Sequence, residues 1–152
     1  RQELPSAQVR LVGEPGPAGR GLHRPPHVVV VGRVASMEAE LAAADLVAVP
    51  LRWGSGTRVK ILEAFAHRIP VVSTSLGAEG IEGAEDGRHL LVADSPEAFA
   101  SACVRLLGDL ALRRRLVQAA EALFLERFEW VRVAEAVRQL ALDTVGEPAR
   151  LG

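Results

Sequence analysis

One cysteine, Cys103, stands in 152 residues, so no disulfide framework can form within the chain, and a reducing compartment is the natural expectation. Cys103 falls on an apolar helical face and reads as a small packed hydrophobe. No apolar run approaches the ~18 residues of a membrane-spanning helix. The first residues, Arg1-Gln2-Glu3-Leu4-Pro5, do not have the form of a signal peptide. A cytoplasmic protein is therefore expected. An excess of one charge is also lacking: the formal net charge is −1, which points to no nucleic acid and no general anionic surface. Lysine is nearly absent, with Lys60 alone beside 17 arginines. Several motifs are missing as well. His23, His27, His67 and His89 have no metal-ligand spacing with the cysteine, so no metal site is expected. Gly54-Ser55-Gly56 lacks the third glycine of a dinucleotide fingerprint, and there is neither a Walker A lysine nor a Gly-x-Ser-x-Gly elbow.

What is present is a globular composition, 49% hydrophobic and 24% charged, in a length that suits one domain with a normal core. Residues 1–7 read as the tail of an element that begins upstream. Gln8 to Val12 forms a short strand pattern. Residues 13–26 hold four of the nine prolines and four glycines, which predicts a long loop with little helix. Val28-Val29-Val30-Val31, closed by Gly32, has the pattern of a buried parallel strand. Ser36 caps a short helix from Met37 to Ala44, with Glu38 in its first turn. Further strands are expected at Leu46 to Val49, Pro70 to Ser73 and Leu90 to Val92, with a polar, glycine-containing stretch from Thr74 to Asp86. Ser95-Pro96-Glu97 is a strong helix start, and the pattern continues to about Gly108. Leu110, Leu116, Val117 and Leu123 mark one amphipathic helix. Val133, Val137, Leu140 and Leu142 mark another after Trp130. Gly146 to Gly152 is expected to fray.

Short apolar strands alternating with helices predict an α/β fold with a parallel sheet flanked by helices. Ligands in such folds sit beyond the carboxyl ends of the strands. That rule gathers Gly32 to Ser36, Arg52 to Thr57 and Thr74 to Gly80 around one crevice. The central stretch runs from Leu51 to Ala64, where a strand passes through a Gly-rich turn into a helix. Backbone N–H groups converge on an anion in that layout. Thr57 is the expected N-cap, with Arg58 at N1 and Lys60 at N3. Cations there oppose the helix dipole at ~0.3–1 kcal/mol each, a cost that an anionic ligand offsets. The plain alternative is a solvated helix start whose basic side chains turn into water. Positions 58 and 60 lie roughly 200° apart around a helix, so one of the two is open to a structural role.

The run Gly54-Ser55-Gly56-Thr57-Arg58-Val59-Lys60-Ile61-Leu62-Glu63-Ala64-Phe65-Ala66, followed by Pro70-Val71-Val72-Ser73-Thr74, resembles the group 1 (family 4) glycosyltransferases. Gly77-Ala78-Glu79-Gly80, Leu91-Val92-Ala93-Asp94, Pro96-Glu97 and Phe99-Ala100 extend the likeness, as does Trp130 before the last helix. The resemblance runs from about Leu4 to Val145. It implies the GT-B architecture of two Rossmann-like domains. This chain would be the C-terminal, donor-binding domain (residues 1–145, its first β-α unit missing), with 146–152 as a tail. The implied activity is transfer of a sugar from a nucleoside diphosphate sugar to an acceptor hydroxyl with retention, in polysaccharide or glycoconjugate biosynthesis. Transfer would need no cofactor beyond that donor substrate. The acceptor, a glycan, lipid or small molecule, would be held by the absent N-terminal domain, and the full-length protein could work at the membrane surface. Rival readings are a sugar-nucleotide epimerase of the same fold and a non-catalytic nucleotide-binding or scaffold module.

Position by position, the resemblance implies that Glu63 binds the ribose hydroxyls, since a carboxylate accepts from two vicinal hydroxyls at once. The alternative is an exposed helix carboxylate paired with Lys60. Gly56, Thr57, Arg58, Val59 and Lys60 would meet the diphosphate, and Gly54 and Ser55 the donor sugar. Ser55 departs from the glutamate that many relatives carry there. Arg33 and Val34 would lie at the nucleobase, with a plain surface role for Arg33 as the alternative. Arg68 stands where the family usually has glycine, so either Arg68 takes φ > 0 or the helix before it ends early. His67 reads as a partner of the last helical carbonyls. No catalytic side chain is assigned.

Overall fold

The computed structural model describes residues 6–16, 19, 21–54 and 58–145. The expectations for Ser55, Gly56, Thr57, the first five residues and the 146–152 tail lie outside them. The chain divides into two compact units, Arg1–Ala44 and Asp45–Gly152. Local sequence explains most elements in each.

In the first unit, β1 (Val9–Val12) pairs in parallel with β2 (Val28–Gly32), in the register Val9↔Val28 and Arg10↔Val29. Helix α1 (Met37–Ala42) starts where Ser36 Oγ accepts from the Ala39 N–H at 3.3 Å. Arg10 clamps Glu40 of its first turn through two bonds of 2.8 and 2.9 Å. The valine run of β2 is half-buried, not fully buried as expected. It has one ladder partner among the described residues, and an all-apolar run reports a strand without reporting how many neighbours cover it.

In the second unit, β3 (Val47–Val49), β4 (Val71–Ser73) and β5 (Leu91–Val92) form a parallel sheet in the order β3-β4-β5. The single sheet expected from the alternation of elements is thus two sheets among the described residues. Strand periodicity is local, whereas strand pairing is tertiary. Helix α2 (Val59–Ala66) connects β3 to β4, and buries Ile61, Ala64 and Phe65 on one face, at i, i+3 and i+4 spacing. A short helix α3 (Ser75–Ala78) follows β4 inside the polar, glycine-containing stretch from Thr74 to Asp86. Helix α4 (Pro96–Gly108) begins at a Ser95 cap with proline at N1, as the sequence predicts. Asp109 closes α4 and opens α5 (Leu110–Arg127), its Oδ1 accepting from the Leu112 N–H at 2.9 Å. The core joins Val72 and Leu91 of the sheet to Leu106, Leu112 and Leu116 of α4 and α5. Cys103 packs at its margin, where burial pushes the thiol up to about 11 and keeps it protonated. Helix α6 (Trp130–Val145) leaves Val133, Val137 and Leu140 exposed. No helix among the described residues is long and apolar enough to cross a membrane.

Candidate functional site

All three strands of the second sheet point the same way, so the segments after β3, β4 and β5 leave one edge. Side chains lace these segments together. Thr74 Oγ1, at the end of β4, donates to the Leu51 carbonyl after β3 at 2.6 Å, and accepts from the Gly77 N–H at 3.0 Å. Ser75, the first residue of α3, gives both its N–H (2.8 Å) and its hydroxyl (2.6 Å) to the carboxylate of Asp94 after β5. These bonds hold Asp94 below the usual carboxylate range. Gly77 turns α3 tightly over the strand ends: a Cβ there would meet Ser73 Oγ at 2.3 Å and the Val49 carbonyl at 3.1 Å. The edge is pinned at three places, and it carries the start of α2.

Helix α2 begins one residue later than expected. Arg58, not Thr57, is the N-cap, and no side chain caps it. Val59 and Lys60 then occupy the first two helical positions, which corrects the N1 and N3 placements expected for Arg58 and Lys60. The physical reason is the Arg58 backbone, whose ψ of 43° is not helical. Arg58 is 11% exposed and its Nη2 lies 3.7 Å from Glu79 Oε2, just beyond α3. Lys60 is exposed, so the two cations differ in environment. Glu63 is half-buried one turn further along the same helix. Gly54 is exposed with φ 117°, a turn conformation that side-chain-bearing residues rarely adopt. Arg33 and Val34 belong to the other unit, where Arg33 Nε bonds Glu14 Oε2 at 2.9 Å.

The second unit thus carries Gly54, Arg58, Val59, Lys60 and Glu63 along the segment that leaves β3 and enters α2. A guanidinium, an ammonium and the N–H groups of a helix start attract an anion, and a carboxylate on the same helix accepts from hydroxyls. Sequence reasoning missed the Ser75–Asp94 clamp and the Arg58–Glu79 pair. Both bridge segments 19 and 21 residues apart, and only Thr74 with Gly77 three residues on hinted at a capped turn there. Arg68 does take φ 60°, and α2 ends at Ala66 in a Schellman motif: Ile69 N–H reaches Ala64 O at 2.9 Å and Arg68 N–H reaches Phe65 O at 3.1 Å. The His67 N–H bonds the Glu63 carbonyl at 2.9 Å, so its contribution to the helix end is through the main chain.

Comparison with known proteins places this geometry. Residues 1–109 match the model of the family "Glycosyl transferases group 1". The phosphatidyl-myo-inositol mannosyltransferase of Mycobacterium leprae is 33% identical over 118 residues, which cover 75% of this chain and 31% of that protein. The D-inositol 3-phosphate glycosyltransferase of Salinispora tropica is 31% identical over 148 residues, covering 87% of this chain and 30% of that one. The chain therefore spans about a third of the length of these relatives. Among solved structures, the Anabaena protein HepE in complex with UDP superposes with a TM-score of 0.78 at 21% identity, covering 92% of this chain and 42% of that one. This likeness shows the fold, α/β with parallel sheets flanked by helices. By the family match and by both curated relatives, the chain belongs to the group 1 glycosyl transferases.

Proposed function

We propose that this chain is the donor-binding, C-terminal half of a two-domain glycosyltransferase, which passes a sugar with retention from a nucleoside diphosphate to an acceptor hydroxyl. The observation that carries the reading is Arg58. It is a cation nearly buried at the first turn of a helix, on the carboxyl edge of a parallel sheet, where the dipole already favours negative charge. In this reading Arg58 and Lys60, with the backbone of Gly56, Thr57 and Val59, bind the diphosphate. Glu63 accepts from the ribose hydroxyls, and Gly54 and Ser55 border the sugar. Transfer increases negative charge on the departing diphosphate, and fixed cations and N–H groups stabilise that developing charge more than the bound donor's ground state. The acceptor, a glycan, lipid or small molecule, is assigned to a separate N-terminal domain, and the protein to the cytoplasm.

Calorimetric titration with a panel of nucleosides, nucleoside diphosphates and nucleotide sugars tests this. The diphosphates should bind, and Glu63→Ala should weaken them by ~1.5–3 kcal/mol, the range for hydrogen bonds to a charged group. Unchanged affinity in the variant would remove Glu63 from the site. No binding by any diphosphate would remove the donor-binding reading.

A further inference from the structure

An open depression of about 540 Å³ lies between α3 and the end of β5, lined by Ser75, Leu76, Ala78, Glu79 and Val92. Leu76, Ala78 and Val92 are half-buried and offer an apolar floor, while Ser75 and Glu79 stand exposed at the rim. Asp94 fixes the Ser75 end through two short bonds, so this wall is held from both α3 and the segment after β5. Among the described residues Glu79 is the one charged group lining the depression, and it is 70% exposed. Its Oε2 also lies 3.7 Å from Arg58 Nη2, which joins the depression to the start of α2.

This juxtaposition selects a chemistry. An ionised carboxylate only accepts hydrogen bonds, so its ligand must donate them. A cation is disfavoured beside the Arg58 guanidinium, which leaves neutral donors, and hydroxyl groups foremost. An apolar floor under a polar rim suits a ring with C–H groups on its face and hydroxyls on its edge. With Glu79 Oε2 3.7 Å from Arg58 Nη2, a group attached to a diphosphate at Arg58 would be within reach of Glu79. Resting on the donor-binding reading above, we infer that Glu79 is a specificity-determining residue that accepts hydrogen bonds from the hydroxyls of the donor's sugar, seated over Leu76, Ala78 and Val92.

The test compares Glu79→Gln with the parent, on the full-length polypeptide, by calorimetry with UDP against UDP-glucose and GDP against GDP-mannose. Glu79→Gln should weaken the nucleotide sugar of the bound pair about tenfold, while changing the matching diphosphate less than about threefold. Glu82→Gln, at an exposed carboxylate paired with Arg127 at 2.7 Å, should leave both unchanged. If Glu79→Gln shifts sugar-bearing and sugar-free ligands equally, in either direction, Glu79 serves only as the ion-pair partner of Arg58 and the inference fails. Failure of the parent protein to bind any nucleoside diphosphate would instead overturn the donor-binding reading, and the inference with it.

Discussion

Single residues at the carboxyl edge show how closely the segments are fitted. Gly77 is buried, and its missing Cβ leaves room for Ser73 Oγ, which is itself buried and donates to the Thr74 carbonyl at 3.0 Å. Adding one carbon would push that hydroxyl from its acceptor or lift α3 from the strand ends, and overpacking of this kind costs ~1–3 kcal/mol. Gly77→Ala should accordingly lower the urea midpoint without changing the slope of the transition. It should also weaken ligand binding, because α3 carries Ser75 to Asp94 and Glu79 to Arg58. A variant as stable as its parent would mean that the turn has slack the contacts do not show. Gly77 was legible only as part of a family-like run. Its steric role depends on Val49 and Ser73, which arrive from two other segments, and no periodicity reports that.

The elements divide by how local their causes are. Helix α4 begins at Ser95-Pro96-Glu97 and ends at Gly108, as read from the sequence, because cap, proline and apolar spacing all lie within its own residues. Helix α3 escaped notice because its cause is partly distant: Thr74 caps it, but Asp94 holds it. The end of α2 was legible in kind, since a non-glycine residue at a glycine position must accept strain or shorten the helix. Arg68 accepts it at φ 60°, and Arg68 Nε meets Glu121 Oε2 of α5 at 3.1 Å. Glycine in the left-handed region avoids ~1 kcal/mol of strain, whereas an exposed ion pair contributes ~0–1 kcal/mol. Arg68→Gly should therefore be neutral to stabilising by up to ~1 kcal/mol, or ~2–4 °C in melting temperature. Arg68→Ala keeps the strain and loses the pair, so it should be the less stable of the two. The reverse order would show that the ion pair, not the backbone, governs this helix end.

At the scale of the whole molecule, two groups of the second unit, His89 and Asp94, tie its stability to pH. His89 is buried, and its Nδ1 accepts from the Glu85 N–H at 3.0 Å. Burial and the nearby Arg88 charge lower its pKa, against the smaller opposing pull of Glu85. A histidine with a folded pKa below its unfolded value near 6.5 takes up a proton more readily in the unfolded chain. Its contribution is therefore complete above pH 6.5 and drains away as pH falls toward the folded value. Asp94 is lowered by the two Ser75 bonds, so its contribution is present above its ordinary value near 3.8 and is lost below it. The two losses begin at different pH, His89 below about 6.5 and Asp94 below about 3.8, so their onsets are separable. Between pH 7 and pH 5 the loss belongs to His89; nearer pH 3 Asp94 adds to it. Urea midpoints of the second unit, followed from pH 8 to pH 3, should fall in two stages. His89→Asn offers an acceptor to the Glu85 N–H but cannot titrate, so it should flatten the upper stage and leave the lower one. A variant that loses stability between pH 7 and pH 5 as steeply as its parent would show that the proton is taken up elsewhere.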